Sequence, residues 1–271
     1  MRRVSLDHIT VVDATPVRLV ELARATGCGG VCLFMTSMDV LPLMPHFDCV
    51  GDLRQRGAMK EAMAAHGVAL DLAYPFTLTG RTEVAALAPA LECAADLGAG
   101  LVNALLYDRD PARRVDVFGR FCDLARVHGL NVAVEFYPPS QIPSLGAALD
   151  LVGLIGRSGE VGINADLLHL MRSGGTVAEL AAVPSGTILY GQVADGPREA
   201  PSDPVHEASS QRLLPGEGAF DVAGFVRALP AHCPISVEIP RDDAVAGQPA
   251  LDRAMLAVTS LRAVLASSGP A

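Results

Sequence analysis

The chain has 271 residues, 50% of them hydrophobic and 19% charged, with a formal net charge of −9. That acidity argues against nucleic acid or an anionic membrane surface as the main partner. No segment approaches the roughly 20 uninterrupted apolar residues of a membrane helix, and the length suits one large domain with a generous core. With Trp absent and aromatics at 4%, that core has to be built from Ala, Val and Leu. The six cysteines (28, 32, 49, 93, 122 and 233) form no Cys-x-x-Cys pair, and five of them sit in or beside apolar segments. Reduced core packing is expected of them rather than disulfides. Arg2 and Arg3 are followed by no apolar leader-like stretch, so a cytoplasmic protein is expected.

Strand-like and helix-like segments alternate along the whole chain. Val4–Val12 reads as a first strand, and Thr15 before Pro16 starts a helix that Gly27 stops, since Pro fits the first helical position. A second strand covers Gly30–Phe34, a helix Asp52–His66, and a third strand Val68–Tyr74, stopped by Pro75. Helices over Glu83–Leu97 and Pro111–His128 flank a strand over Leu101–Tyr107, and the fifth strand is Asn131–Phe136. The rhythm continues with a helix at Ser144–Ile155, a strand at Val161–Ala165 and helical residues at Thr176–Ala182. A strand at Thr187–Val193, a helix at Phe220–Leu229, an eighth strand at Pro234–Ile239 and a helix at Pro249–Ala266 complete it. The terminal Ser-Ser-Gly-Pro-Ala is expected to fray.

Eight strands and eight helices in strict alternation imply a parallel sheet with both faces covered. Eight units imply a closed α/β barrel, a single (β/α)8 TIM barrel over residues 1–271. A doubly wound open sheet is the structural alternative; it more often carries a Gly-rich turn after the first strand, and Asp13-Ala-Thr-Pro16 is not one. Two long connections, 35–51 and 194–218, fall after strands two and seven and so at the C-terminal mouth, where such loops build active sites.

Acids recur at the ends of apolar strands. The fifth, Asn-Val-Ala-Val-Glu-Phe, ends in Glu135; the sixth ends in Asp166, with His169 three residues on. The seventh carries Gln192, with Asp195 just after, and the eighth carries Glu238. An acid past a strand end often simply reaches water, but these four oxygen-bearing side chains occupy four consecutive strand ends. Three carboxylates converging on one mouth would repel each other unless a cation joined them. Oxygen ligands favour a hard divalent ion, Mn²⁺ or Mg²⁺ ahead of Co²⁺ or Zn²⁺.

These segments resemble the xylose-isomerase-like barrels, the sugar phosphate isomerase/epimerase family whose relatives include hydroxypyruvate isomerase, D-tagatose 3-epimerase, inosose dehydratase and, further off, endonuclease IV. The resemblance covers nearly the whole chain. It is sharpest in Val-Glu-Phe at 134–136, Asp166-Leu-Leu-His169, Gln192-Val-Ala-Asp195, Arg212-Leu-Leu-Pro-Gly-Glu-Gly218 and Val-Glu-Ile at 237–239. It implies one divalent metal held by Glu135, Asp166, Gln192 and Glu238. Many members carry His at the third position; Gln192 departs from them and is similar to the hydroxypyruvate isomerase type. The resemblance further implies that His169 contacts a substrate oxygen, that Arg212 reaches into the site, and that the protein forms a homo-oligomer.

In that arrangement a metal polarises the carbonyl of a hydroxy-ketone, and Glu135 and Glu238 take and return the proton of the neighbouring C–H through an enediolate. Return to another carbon isomerises, return to the other face epimerises, and loss of a β-hydroxyl makes a dehydratase or lyase. The leading expectation is an isomerase or epimerase of a small sugar-like hydroxy-ketone. A dehydratase or lyase on a cyclic polyol or keto-glycoside is the alternative, and a non-enzymatic barrel subunit, which would have lost ligands, ranks below both. Endonuclease-type chemistry needs several further His ligands and a basic groove, and the acidic chain has only seven His.

Other residues have weaker claims, each balanced by a packing role. His8 could point into the mouth, Tyr74, Phe76 and Tyr107 could wall it, and Arg198 shares the long loop with Arg212. Asn103 needs a partner inside strand four, and the Arg172-Ser-Gly-Gly175 turn could hold a phosphate. Glu217 is expected to stabilise its own turn.

Overall fold

The structure is a computed structural model that describes residues 2–184 and 186–267; the expected fraying tail lies, from residue 268 on, outside the described residues. Eight strands form a closed, all-parallel barrel in the order β1 to β8. They are β1 (Val4–Asp7), β2 (Gly30–Phe34), β3 (Ala69–Leu78), β4 (Leu101–Leu106), β5 (Asn131–Glu135), β6 (Val161–Asp166), β7 (Ile188–Val193) and β8 (Ile235–Val237). The outer ring includes α1 (Pro16–Ala25), α2 (Leu53–His66), α3 (Ala88–Asp96), α4 (Pro111–Val127), α5 (Leu145–Ile155), α7 (Val177–Ala181), α9 (Val222–Ala228) and α11 (Ala250–Ser267). Three short helices stand near strand ends: α6 (Leu167–Arg172), α8 (Pro204–Ser210) and α10 (Asp242–Val245).

Local chemistry sets the boundaries. Thr15 accepts a hydrogen bond from the Arg18 amide and Pro16 opens α1, while Asp52, Asp110 and Ser144 cap α2, α4 and α5 in the same way. Helix α2 ends on Gly67 in the left-handed region (φ 63°), a conformation that suits residues without a Cβ. Along each strand side chains alternate between two cores. Leu6, Val31, Leu33, Val132, Val134 and Ile235 pack outward under the helices, whereas Cys32, Phe34, Leu72, Ala133 and Tyr190 fill the barrel. All six cysteines are free and buried.

Several boundaries differ from those read in the sequence. The first strand stops at Asp7, because the Asp7 carboxylate accepts the Ile9 amide at 3.2 Å and caps a 3-10 turn over His8–Val11. Strand β3 does not stop at Pro75: it continues through a cis Tyr74–Pro75 bond to Leu78, with its register to β4 shifting between Ala73 and Phe76. The segment Val84–Leu87 is a 3-10 turn, so α3 begins only at Ala88. The 194–218 loop contains α8, and the 35–51 loop is pinned by a bridge between Thr36 and Asp48.

Candidate active site

The inward positions at the C-terminal strand ends converge on one mouth. Glu135 closes β5, Asp166 closes β6, Gln192 is the penultimate residue of β7 and Glu238 follows β8 directly. The register puts Asp166 beside Gln192 and Gln192 beside Ser236. Glu135, Gln192 and Glu238, together with His169, Arg212, Tyr74 and Tyr107, line a cavity of about 470 Å³, within the range of small-molecule sites, and Asp166 is buried behind them.

Glu135, Asp166 and His169 each bring one ligand atom within 4.8 Å of the others. His169 belongs to this group because Asp166 caps α6, accepting the His169 amide at 3.0 Å and bringing the imidazole round one turn. Its Nε2 lies 3.4 Å from Glu135 Oε1 and 3.9 Å from Asp166 Oδ2. Glu238 stands outside that triad and is tied to it by Arg212, whose Nη1 donates to Asp166 at 2.6 Å and whose Nη2 donates to Glu238 at 3.4 Å. The guanidinium is buried and is held in place by donation from Nε to the Ala208 carbonyl at 2.9 Å.

The electrostatics are those of charge stored without water. Burial alone would raise Asp166, but Arg212 and then His169 overcome it and hold the carboxyl down to about 2. For Glu238 burial prevails over Arg212, and its carboxyl is pushed well above the usual carboxylate range. Glu238 Oε2 is buried with no hydrogen-bond partner among the described residues. A lone-pair oxygen left bare beside carboxylate and imidazole donors fits a divalent cation, which would satisfy it. Glu135, Asp166, His169 and Glu238 would hold such an ion; Gln192 lines the same cavity, and its amide oxygen accepts from Asn164 at 2.5 Å.

Three expected pocket residues fall elsewhere: His8, Arg198, and Phe76, which packs in the outer core with its ring centroid 5.2 Å from that of Phe121. His8 is in the 3-10 turn and does not line the cavity; Nε2 bonds the Ala14 carbonyl at 2.9 Å and its ring stacks on Phe47 with centroids 5.4 Å apart. Arg198 is exposed on the loop. Arg172 holds no phosphate pocket open, since it makes a buried two-pronged pair with Glu207 at 2.7 and 2.6 Å. Asp195 accepts four backbone amides, from Gly196, Gly216, Gly218 and Phe220 at 2.8 to 3.0 Å, and so ties both ends of the long loop together. Glu217 accepts the Leu214 amide at 3.3 Å within its own turn. Sequence reasoning missed Asp7, Asn164, Tyr137 and Glu207. For Asp7 and Asn164 a signal existed, since both are polar residues at inward positions of apolar strands.

A family profile matches residues 20–264. The chain belongs to the xylose isomerase-like TIM barrel family. The chain is 29% identical over 137 residues to a 3-dehydroshikimate dehydratase from Pseudomonas aeruginosa, a match covering 49% of this chain and 21% of that protein. A xylose isomerase-like TIM barrel/4-hydroxyphenylpyruvate dioxygenase fusion protein superposes with a TM-score of 0.80 at 22% identity, over 97% of this chain and 42% of the fusion. The chain thus spans well under half of either protein. The IOLI protein, solved with a zinc atom, superposes with a TM-score of 0.77 at 20% identity over the full length of both chains. Epimerases and a probable 3-DHS dehydratase share the same barrel fold.

Proposed function

We propose that this xylose isomerase-like barrel is a divalent-metal-dependent dehydratase that removes water from a cyclic β-hydroxy-ketone of the 3-dehydroshikimate kind. The observation that carries this reading is the mixed lining of the cavity, in which Glu135, His169, Gln192, Arg212 and Glu238 supply charged and polar groups while Ile9, Phe34, Met38, Leu41 and Leu105 supply apolar surface. An open-chain ketose bears a hydroxyl on nearly every carbon and would press several against that apolar surface, at about 1–3 kcal/mol for each one left unpaired. A six-membered ring presents one polar edge and an apolar face. The dehydratase relative supports the same choice.

The chain's own groups supply the proton movements. Glu238, which lines the cavity, takes the proton beside the carbonyl. Glu238 returns that proton to the departing hydroxyl, which leaves as water, while His169, 3.4 Å from Glu135, stays among the groups that would hold the ion. Arg212 keeps Asp166 ionised and fixes Glu238 through Oε1. A bound divalent ion adds Lewis-acid polarisation of the carbonyl, lowering the pKa of the adjacent C–H.

Isomerisation or epimerisation is the second reading, favoured by the presence of two glutamates: a proton taken by Glu238 can be returned by Glu135. The test treats the purified protein with Mn²⁺, Mg²⁺, Co²⁺ or Zn²⁺ and 3-dehydroshikimate. Loss of one water and tautomerisation leave an aromatic dihydroxybenzoate, which ultraviolet absorbance registers directly. Parallel incubation with ketoses in D₂O follows C–H exchange by NMR. Aromatic product supports the dehydratase, exchange with keto-sugars alone supports the second reading, and neither with any metal sinks both.

A further inference from the structure

In and behind the cavity wall, buried side chains from seven strands join in one hydrogen-bonded run. Asn103 Nδ2 on β4 donates to Glu135 Oε2 on β5 at 2.5 Å. Asn164 Nδ2 on β6 donates both to Asn103 Oδ1 at 3.2 Å and to Gln192 Oε1 on β7 at 2.5 Å. Gln192 Nε2 then donates to Asp7 Oδ2 on β1 at 3.4 Å. The Asp7 carboxylate also receives the Tyr74 hydroxyl from β3, the Ile9 amide and the Ser236 hydroxyl from β8.

The direction of this run is set from its two ends. A carboxylate only accepts, so Asn103 has to turn its NH₂ to Glu135 and its oxygen to Asn164. At the other end both Asp7 oxygens are already taking donors, so Gln192 has to offer its NH₂ there and turn its oxygen to the β6 side, where Asp166 stands. Asn164 meets both amide oxygens with the two hydrogens of one NH₂ group. Flipping Gln192 would set oxygen against the Asp7 carboxylate and NH₂ against NH₂, leaving two buried bonds unmade.

We propose that Asp7, acting through this amide run with Asn103 and Asn164, is a positioning residue that keeps the oxygen of Gln192, and not its NH₂, turned toward the centre. The inference rests on the divalent-cation reading given above. The two ends of an amide differ, so Gln192 needs an orienting partner that the glutamates do not.

The test is Mn²⁺ affinity of metal-stripped protein, read by the electron paramagnetic resonance of free Mn²⁺. The set is wild type, Asp7→Asn, Gln192→Glu and the double variant, with thermal unfolding as a check of fold. Asp7→Asn lets Gln192 flip and is expected to weaken Mn²⁺ binding by about 10–100-fold, as loss of ligand-orienting groups does. In the Gln192→Glu background the same change is expected to cause no loss, because a carboxylate has an oxygen at both ends and the amide introduced by Asp7→Asn can donate to it. A purely structural role for Asp7 would weaken binding equally in both backgrounds and overturn the inference, as would an Asp7→Asn affinity within about twofold of wild type. Should Asp7→Asn not fold, Asn164→Asp reverses the run from its middle. It is expected to weaken Mn²⁺ binding despite the added negative charge, and stronger binding would overturn the proposal. Wild type that binds no Mn²⁺ is distinguishable from all of these and removes the metal reading itself.

Discussion

Asp7 and His8 are adjacent, completely buried and displaced in ways that oppose each other on acidification. Burial lowers His8 to about 4 from an ordinary 6.5, against the hydrogen bond to Ala14. Burial raises Asp7 to about 6 from an ordinary 3.8, against donation from Tyr74, Ile9 and Gln192. Between 6.5 and about 4 the unfolded chain protonates His8 and the fold does not, so His8 subtracts stability as pH falls. Between about 6 and 3.8 the fold protonates Asp7 and the unfolded chain does not, so Asp7 adds stability over nearly the same window. At ~1.4 kcal/mol per pH unit each contribution is about 3 kcal/mol, and in wild type the two nearly cancel. His8→Phe keeps the stack on Phe47 and removes the titration. Its stability relative to wild type, from urea midpoints in chelator, is expected to improve by about 3 kcal/mol between pH ~7 and ~4. Asp7→Asn is expected to shift by a similar amount in the opposite sense. The lost Nε2 bond adds only a pH-independent offset. A wild-type-minus-variant difference that stays constant with pH would refute the burial argument for both residues.

Three further substitutions probe the base and two buried tethers. Glu238→Gln removes the base that takes the proton and is expected to lower kcat by about 10²–10⁴ with little change in thermal midpoint; steady-state kinetics on the dehydration substrate checks it. Asp195→Ala leaves four buried or half-buried amides without their acceptor, and urea unfolding should show a loss of about 3 kcal/mol or more. Arg172→Ala leaves Glu207 of α8 buried and unpaired, with an expected loss of about 3–5 kcal/mol by the same assay.

The barrel was legible because its signals are local and repeated. Strand-length apolar runs, Gly stops and the Thr15-Pro16 start each act within one turn, and eight repetitions leave few architectures open. What escaped the sequence depends on partners far along the chain. Nothing near Pro75 says that β3 continues past it, since that follows from pairing with β4. Helix α6 is six residues long and exists because Asp166 caps it and the barrel mouth packs it. In the site, the strand-end acids could be read from parity and spacing. The bridge from Arg212 to Asp166 spans 46 residues of sequence and could not. The resemblance makes His169 a substrate contact, yet the structure sets it among the closest donor atoms, because a cap turns its helix inward.

Arg212 explains how such a site can fold before any cation arrives. Once a cation draws the proton from Glu238, whose carboxyl burial has raised, Glu135, Asp166 and Glu238 would carry three formal negative charges, and the guanidinium cancels one of them. The two left over match a divalent ion, and the bare Glu238 Oε2 marks where compensation is still missing. Arg212→Met keeps the bulk of the side chain but removes the charge and its bonds to Asp166 and Glu238. The metal-free variant should lose about 3–5 kcal/mol of stability, the cost of breaking a buried pair. Saturating Mn²⁺ binds only the fold, so it should raise the thermal midpoint of the variant by more than it raises that of wild type. The extra negative charge is left for the ion to neutralise. If Mn²⁺ shifts both midpoints equally, Arg212 and the metal do not share the same carboxylates, and the charge accounting of the site is wrong.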